Sequence, residues 1–434
     1  MRRSLLRKGL WGVLFCLPLL MVSCSSSDDD SEFGAGEGKK GGVKVTLAQS
    51  SFDDAVTRAA VEPQTQMIDM GNGLQMEATL TPEHSAMTRA TVSPLAQDIK
   101  YCIVIYDKDN NFKATKTYTR GTENNEDPIP LPAGEGYKYI AYSVNSKDEL
   151  PSFTEGNLDA FAVAATYPQD LMMTQATFSV SANATTPLQI NLKHQFSSVT
   201  VVMDSYASGH KIYTVDGMTI SSNHPTGIVT ASGTTFEATF GGAATDLPIP
   251  FESFDPARLI TSQSVIMYSN TSGESNISLA SLKVGAKERP HVMASGFTIA
   301  PKTKYTLTLN ITSGIEVGGL MWAPGNMIYD GTWIKNKQET EYGFEENQGA
   351  VGSKWLYDDA EPDPTGDNRN RRADPCALIK KGGKGESAGW RTPGPADFEK
   401  IVANYNGTAT SNETTIGKDV TYNYYNNPLA ELIH

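Results

Sequence analysis

Between residues 304 and 311 the chain alternates without a break. Tyr305, Leu307, Leu309 and Ile311 take one side, and Lys304, Thr306, Thr308 and Asn310 take the other. A period of two is what a strand needs to bury one face and wet the other. Strand-like runs recur at 99–106, 112–118, 137–144, 176–180 and 188–192, then at 198–204, 211–222, 235–239, 264–268 and 278–284. Gly, Pro and Asn clusters separate them, and no long helical period interrupts either set. Short strands at turn-like spacing predict a mainly β chain built as two successive β-sandwiches.

The second constraint lies at the start. Arg2, Arg3, Arg7 and Lys8 precede an apolar run over 10–22 that is too short and interrupted to span a bilayer. It reads as the core of a signal peptide over 1–23. The run ends Leu20-Met21-Val22-Ser23-Cys24, a relaxed lipobox with Met21 where Leu is commoner. Cleavage before Cys24 and acylation of Cys24 are expected, and several acyl chains together make a stable anchor. Residues 25–42 are rich in Ser, Asp, Gly and Lys, so 24–42 is expected to be a lipidated, flexible tether.

A chain of 434 residues has room for two or three domains, each with its own core. Its formal charge is −13, and loss of the four cations of 1–23, which contain no acid, leaves −17. Such a surface argues against nucleic acid and against anionic lipid as partners. Of the four cysteines, Cys16 leaves with the signal peptide and Cys24 takes the lipid. Cys102 and Cys376 are too far apart to suggest a disulfide framework. Cys102, inside Tyr101-Cys102-Ile103-Val104-Ile105-Tyr106, is expected to be a buried structural thiol.

Composition shifts at 314–319. The tail holds Trp322, Trp333, Trp355 and Trp390, four of the five tryptophans. Pro393 and Pro395 introduce a predicted helix over 396–404 with Phe398, Ile401 and Val402 on one face. A third, mixed α/β module over 315–434 is expected.

Motifs that carry chemistry are few. Gly385-Glu386-Ser387-Ala388-Gly389 has the form of a nucleophile elbow, but no buried strand precedes it and the histidine downstream is His434. Asp107-Lys108-Asp109-Asn110-Asn111 begins like a calcium loop, yet Phe112 replaces its glycine and Tyr118 its bidentate glutamate. A hairpin turn is expected there. Asp358, Asp359, Glu361, Asp363 and Asp367 form a denser acidic loop, for which a solvated loop is the expected reading and calcium binding the alternative. The six histidines show no zinc spacing. The chain is therefore expected to be no enzyme, with no catalytic residue, metal or cofactor. Trp355 and Tyr357, beside the acidic loop, are the ligand candidates, since a flat aromatic face can stack on a sugar. Trp322 and Trp390 are assigned to a core.

The serines and aspartates at 25–30, directly after Cys24, resemble the surface-export signal of Bacteroides-type lipoproteins. That likeness implies the outer face of the outer membrane. The order of lipobox, tether, a strand leading to Thr-Arg-Ala, then two sandwiches resembles the fimbrillins, subunits of type V pili, over 1–314. Gly73-Leu74-Gln75-Met76-Glu77, Thr88-Arg89-Ala90 and 101–109 carry much of the likeness. It implies transthyretin-like, Greek-key sandwiches at 90–191 and 192–314, preceded by a propeptide over 43–89 with removable strands. In that family an arginine-specific protease cuts at the surface, a groove in the first sandwich loses its strand, and a neighbouring subunit's strand fills it. An empty apolar slot at a sheet edge is a strong template for such addition. Arg58, in Thr57-Arg58-Ala59, and Arg89 are the candidate cleavage residues. Arg89 is preferred, because the segment it releases includes 74–80, where Leu74, Met76, Ala78 and Leu80 alternate with polar residues. Arg58 would release only a short, weak strand over 43–47.

Met321-Trp322-Ala323-Pro324-Gly325-Asn326-Met327, Asp374-Pro375-Cys376 and Gly389-Trp390-Arg391-Thr392-Pro393 resemble the first half of a C-type-lectin-like module, over 320–404. An insertion over 377–387 and the end of the sequence at His434 depart from that pattern, so no sugar site transfers. The resemblances together imply an accessory or tip adhesin of a pilus. Its partners would be other subunits by strand exchange, the outer membrane through the lipid, and a host or bacterial glycan or protein ligand. The alternative is a non-polymerising, glycan-binding surface lipoprotein.

Overall fold

The computed structural model describes residues 40–52, 62–71, 74–83, 93–285, 287–317, 319–323, 327–329, 342–344, 374, 376–379, 389–403, 413–415 and 421–423. The chain is mainly β. Its first strands are β1 (Lys40–Ser51), β2 (Gln64–Gly71), β3 (Leu74–Pro82), β4 (Ser93–Pro94), β5 (Lys100–Tyr106) and β6 (Phe112–Thr119). Next come β7 (Ile129–Pro132), β8 (Gly134–Ser143), β9 (Ala162–Thr166), β10 (Met172–Val180), β11 (Thr185–His194) and β12 (Ser197–Asp204). The run continues with β13 (Ile212–Asp216), β14 (Thr219–Asn223), β15 (Thr226–Ser232), β16 (Thr235–Gly241) and β17 (Thr245–Pro248). It closes with β18 (Leu259–Thr261), β19 (Val265–Met267), β20 (Ser275–Val284), β21 (Lys287–Phe297) and β22 (Lys304–Ser313). Short strands β23 (Ile315–Val317), β24 (Leu320–Trp322), β25 (Met327–Tyr329) and β26 (Tyr342–Phe344) follow, then helix α1 (Pro395–Ala403). Among the described residues no helix is long and apolar enough to cross a membrane.

An eight-stranded sheet in the order β4-β1-β11-β10-β8-β5-β6, with β7 also on β1, builds the first half. One face makes a core from its own strands, with Val43 of β1 and Tyr101, Ile103 and Ile105 of β5 all buried there. The alternate residues Cys102, Val104 and Tyr106 enter a second core on the opposite face. Burial on both sides is why the stretch from Tyr101 to Tyr106 is continuously apolar rather than alternating. The second half is a sandwich of a six-stranded sheet, β18-β12-β22-β3-β2 with β19 on β12, and a five-stranded sheet, β13-β20-β14-β17 with β21 on β20. The face of β22 made by Tyr305, Leu307, Leu309 and Ile311 is fully buried in its core, as the alternation predicts.

Among the differences from the sequence reading, three concern how strands are divided or shared between the sheets. The run at 211–222 is two strands, because Gly217 turns the chain with φ of +59° and a Cβ there would lie 2.7 Å from the Ala280 Cβ. The strand at 235–239, expected in the second sandwich, is β16, whose hairpin partner β15 is not among the expected strands; through β15 it joins β9 and packs with the core on the back of the first sheet. The strand at 74–80, expected to leave a groove in the first sandwich, is instead in the second. There β3 lies between β22 and β2. Alternation reports which face of a strand is buried, not which sheet receives it.

Candidate functional site

β1 is the strand that completes the first sheet. It is 12 residues long, where the sequence suggested a short strand over 43–47. It runs parallel to β11 from Gly42 opposite Thr185 to Ser51 opposite Lys193. On its other side it pairs antiparallel with β7 at one end and β4 at the other. A bulge between Val45 and Leu47 shifts the side-chain parity, so Ala48 joins Val43 and Val45 on the buried face. That shift hid the full length of the strand from a period-two reading. Gly41 is required by close approach, since a Cβ there would sit 2.3 Å from the Ser181 carbonyl oxygen.

Both ends of β1 are fastened. At the start, Gly42 N–H donates to the Ala184 carbonyl at 3.0 Å, and Lys44 Nζ donates to the Asn124 carbonyl at 2.9 Å. At the finish, the Phe52 ring stacks on the His194 imidazole with centroids 4.0 Å apart and planes 9° from parallel. His194 Nδ1 lies 2.8 Å from Asp170 Oδ1, and Asn145 Nδ2 donates to Asp170 Oδ2 at 3.2 Å. On the same core face, flanking the strand, are Leu188 and Ile190 of β11 and Ile129 and Leu131 of β7, with Leu95 in the same core. Without β1 those side chains would line an apolar slot one strand wide, edged by unpaired backbone groups of β11.

Arg58, Arg89, Cys24, Trp355, Tyr357 and Ser387 all lie outside the described residues. The Asp107 turn is described. Its carboxylate accepts from the backbone N–H groups of Asp109 and Asn111, each at 2.9 Å, and Lys113 Nζ stands 2.8 Å away. The Lys113 ammonium, with those turn hydrogen bonds, holds the Asp107 carboxyl well below the usual carboxylate range. This is an Asx turn closing the β5–β6 hairpin. Cys102 is a buried thiol whose Sγ is 3.2 Å from Thr115 Oγ1, and burial pushes it up.

A second concave region lies where the tail meets the second sandwich. A cavity of about 480 Å³ is walled by Met67 of β2, Met321, Trp322, Met327, Phe344 and Trp390, with Gln75, Arg391 and Asp397 among its polar groups. Trp322 is buried, as expected. Trp390 donates its indole N–H to the Ala207 carbonyl at 2.6 Å and meets Phe344 edge-on at 4.9 Å. Arg391 Nη2 donates to Asp397 Oδ1 at 2.7 Å, and Gly394 N–H donates to Asp397 Oδ2 at 2.8 Å, fixing the first turn of α1. The Arg391 guanidinium holds the Asp397 carboxyl down to about 2. Trp390, expected in a core, is only half-buried and lines the cavity, which no sequence pattern marks. The cavity wall draws Met67 from a strand whose sequence carries too little β signal to be read.

No family model matches the chain, and no curated protein matches it. Among solved structures it is similar to a candidate cell adhesion protein of Bacteroides fragilis, at 13% identity and TM-score 0.37, over 64% of this chain and 95% of that one. It is also similar to a candidate cell adhesion protein of Bacteroides ovatus, at 16% identity and TM-score 0.34, over 63% of this chain and 96% of that one. A fimbrial assembly protein of Parabacteroides distasonis matches at 11% identity and TM-score 0.33, over 57% of this chain and 92% of that one.

Proposed function

We propose that the chain is a fimbrial subunit, held at the outer face of the outer membrane through acylated Cys24 and joined to its neighbours through the slot that β1 fills. It works by binding and assembly rather than by catalysis. The tail beyond β22 makes it an accessory or tip component that presents an adhesive surface to a glycan or protein. The observation that supports this reading is the setting of β1: the first strand among the described residues, parallel to β11, connected onward through the segment that contains Arg58.

The same setting favours one cut over the other. A cut after Arg58 frees β1 alone. A cut after Arg89 separates β1, β2 and β3 together, and β3 holds Leu74, Met76, Ala78 and Leu80 in the second core. One strand must leave and one must enter, which favours Arg58 over Arg89 as the productive site. N-terminal sequencing of assembled pili tests this. A start at Ala59 is expected, together with an Arg58→Ala protein that reaches the surface but does not join polymer. A start at Ala90, or at lipidated Cys24, would reject it.

The cavity beside Trp322 and Trp390 supports a second reading, a non-polymerising lipoprotein that captures glycans. Saturable oligosaccharide binding by the uncleaved chain, lost in Trp390→Ala, would favour that reading over the first.

A further inference from the structure

One corner of the second sandwich carries cations on the side where its core lies. Across the β20–β21 hairpin, Leu282 stands opposite Arg289 and Val284 opposite Lys287. Directly opposed residues of an antiparallel pair share a face. Leu282 and Val284 belong to the core, so Arg289 and Lys287 leave their strand on the core side. A third group arrives from the neighbouring strand. Ile212 of β13 pairs with Val284, and Gly285 N–H donates to the Lys211 carbonyl at 2.8 Å. His210 directly precedes this contact and is only 4% exposed. Burial, then the charges of Lys287 and Arg258, hold its imidazole down to about 4.

Arg289 is incompletely matched. Its Nη1 donates to the Glu288 carbonyl at 2.8 Å, while Nε and Nη2 are buried with no hydrogen-bond partner among the described residues. Those two nitrogens form the side-on edge of the guanidinium, the edge that grips an oxyanion with two parallel bonds. His210 Nδ1 is likewise buried and unpartnered among the described residues. The nearest acid in sequence does not answer them. Glu288 alternates to the other face, opposite Lys283, where its carboxylate accepts from Ser281 Oγ at 2.8 Å. Arg289 as a whole is only half-buried, but its two buried donors are costly to leave unmet unless an acceptor completes them.

We propose that Arg289, Lys287 and His210 form a binding site for a small oxyanion of sulfate, phosphate or carboxylate type, gripped by Nε and Nη2 of Arg289. The net charge of −13 favours a single small anion over a polyanion, which the rest of the surface would repel. The site is independent of the strand slot and of the cavity.

Thermal unfolding of the full chain at matched ionic strength tests this, comparing sodium chloride with sodium sulfate, phosphate and acetate. At least one oxyanion should raise the midpoint of the wild type saturably by a few degrees. The anion that does so names the group, sulfate and phosphate standing for tetrahedral ligands and acetate for a carboxylate. Arg289→Gln should lose that response and should be at least as stable as wild type in chloride, because two buried, unmatched donors have been removed. Lys283→Gln, on the outer face, should keep the response. The proposal is overturned if no oxyanion acts on the wild type, or if both proteins shift alike, as general salt exclusion would produce. It is overturned equally if Arg289→Gln is less stable than wild type in chloride or fails to fold, since the donors would then be matched within the protein.

Discussion

β1 and β3 come from neighbouring stretches of chain, yet they are held in different ways. β1 pairs in parallel with β11, is flanked on its other side only by short β7 and β4, and buries Val43, Val45 and Ala48. β3 is antiparallel to both of its neighbours and buries Leu74, Met76, Ala78 and Leu80. At about 1.5–3 kcal/mol for each large apolar side chain, burial gives β1 roughly 4 kcal/mol and β3 roughly 7, both upper estimates. Parallel pairing is also slightly weaker per residue than antiparallel. On the proposed route of assembly, the strand to be surrendered and replaced is the one at the weaker site. A strand on which a sandwich depends belongs at the stronger one, and the positions of Arg58 and Arg89 acquire their meaning from that difference.

The largest expected effect probes the β3 socket. Leu307 is fully buried and stands between Leu80 of β3 and Val201 of β12. Leu307→Asp places an unpaired charge there and should cost about 4–5 kcal/mol in urea unfolding. Thr308→Asp, on the other face of the same strand, should cost under about 1 kcal/mol. Val45→Asp should expel β1 but leave the second sandwich folded, with protease sensitivity confined to the first half. Global unfolding by Val45→Asp would erase the distinction between the two strands.

Acid should separate the two halves next. His210 lies in the second sandwich with its imidazole held by burial down to about 4, against the ordinary histidine value of about 6.5. The unfolded chain therefore takes up a proton between those two values while the folded chain does not. Stability is complete above pH 6.5 and falls as pH drops toward 4, by up to ~3 kcal/mol. His210→Gln, measured in chloride, should flatten this slope. Amide exchange in β3, corrected for its intrinsic pH dependence, should report the loss while β1 does not share it. An unchanged slope in the variant would assign the acid sensitivity to other groups.

Much of this architecture is legible in the residues, and the gaps have physical causes. Tyr305, Leu307, Leu309 and Ile311 announce the buried face of β22, and the pair Pro393 and Pro395 announces the helix, described as Pro395–Ala403. β2 carries too little signal to be read as a strand, because after the polar start Gln64-Thr65-Gln66 only Ile68 and Met70 alternate; its register is set by pairing with β3. The placement of β3 was beyond pattern reading, since its partner β22 lies more than two hundred residues away. Of the candidate site, the alternation of Val43 and Val45 was visible, but the bulge after Val45 concealed the rest. Phe52 carried no signal at all, because its partner His194 is adjacent only in the fold.

A smaller effect should come from the slot itself. Val43→Ala removes two buried methyl groups beside β7 and should cost about 2 kcal/mol, read as faster exchange of the β1 amides. Leu80→Ala in β3 should cost more, within about 2–5 kcal/mol. Equal costs would mean that β1 is no easier to release than β3.

The smallest expected effect is the most specific to β1. Phe52 follows the strand directly and packs flat on His194, whose Nδ1 meets Asp170. Stacking of this kind is worth about 0.5–1.5 kcal/mol beyond area burial. Phe52→Ala should leave the unfolding midpoint of the second sandwich unchanged and raise the opening of β1 by roughly fivefold, since about 1 kcal/mol is that factor in an equilibrium constant. The readout is amide exchange at Ala48, Gln49 and Ser50, with β3 amides as the internal reference. In material cut after Arg58, the same substitution should speed displacement of β1 by an added strand peptide, because the departing strand has lost the contact at its cut end. Phe52→Tyr, which keeps the ring, should behave as wild type in both measurements. If Phe52→Ala loosens β3 as much as β1, or if Phe52→Tyr behaves like Phe52→Ala, the stack is not what holds the end of the strand. The weaker hold on β1 would then have to rest on its parallel pairing and three buried side chains alone.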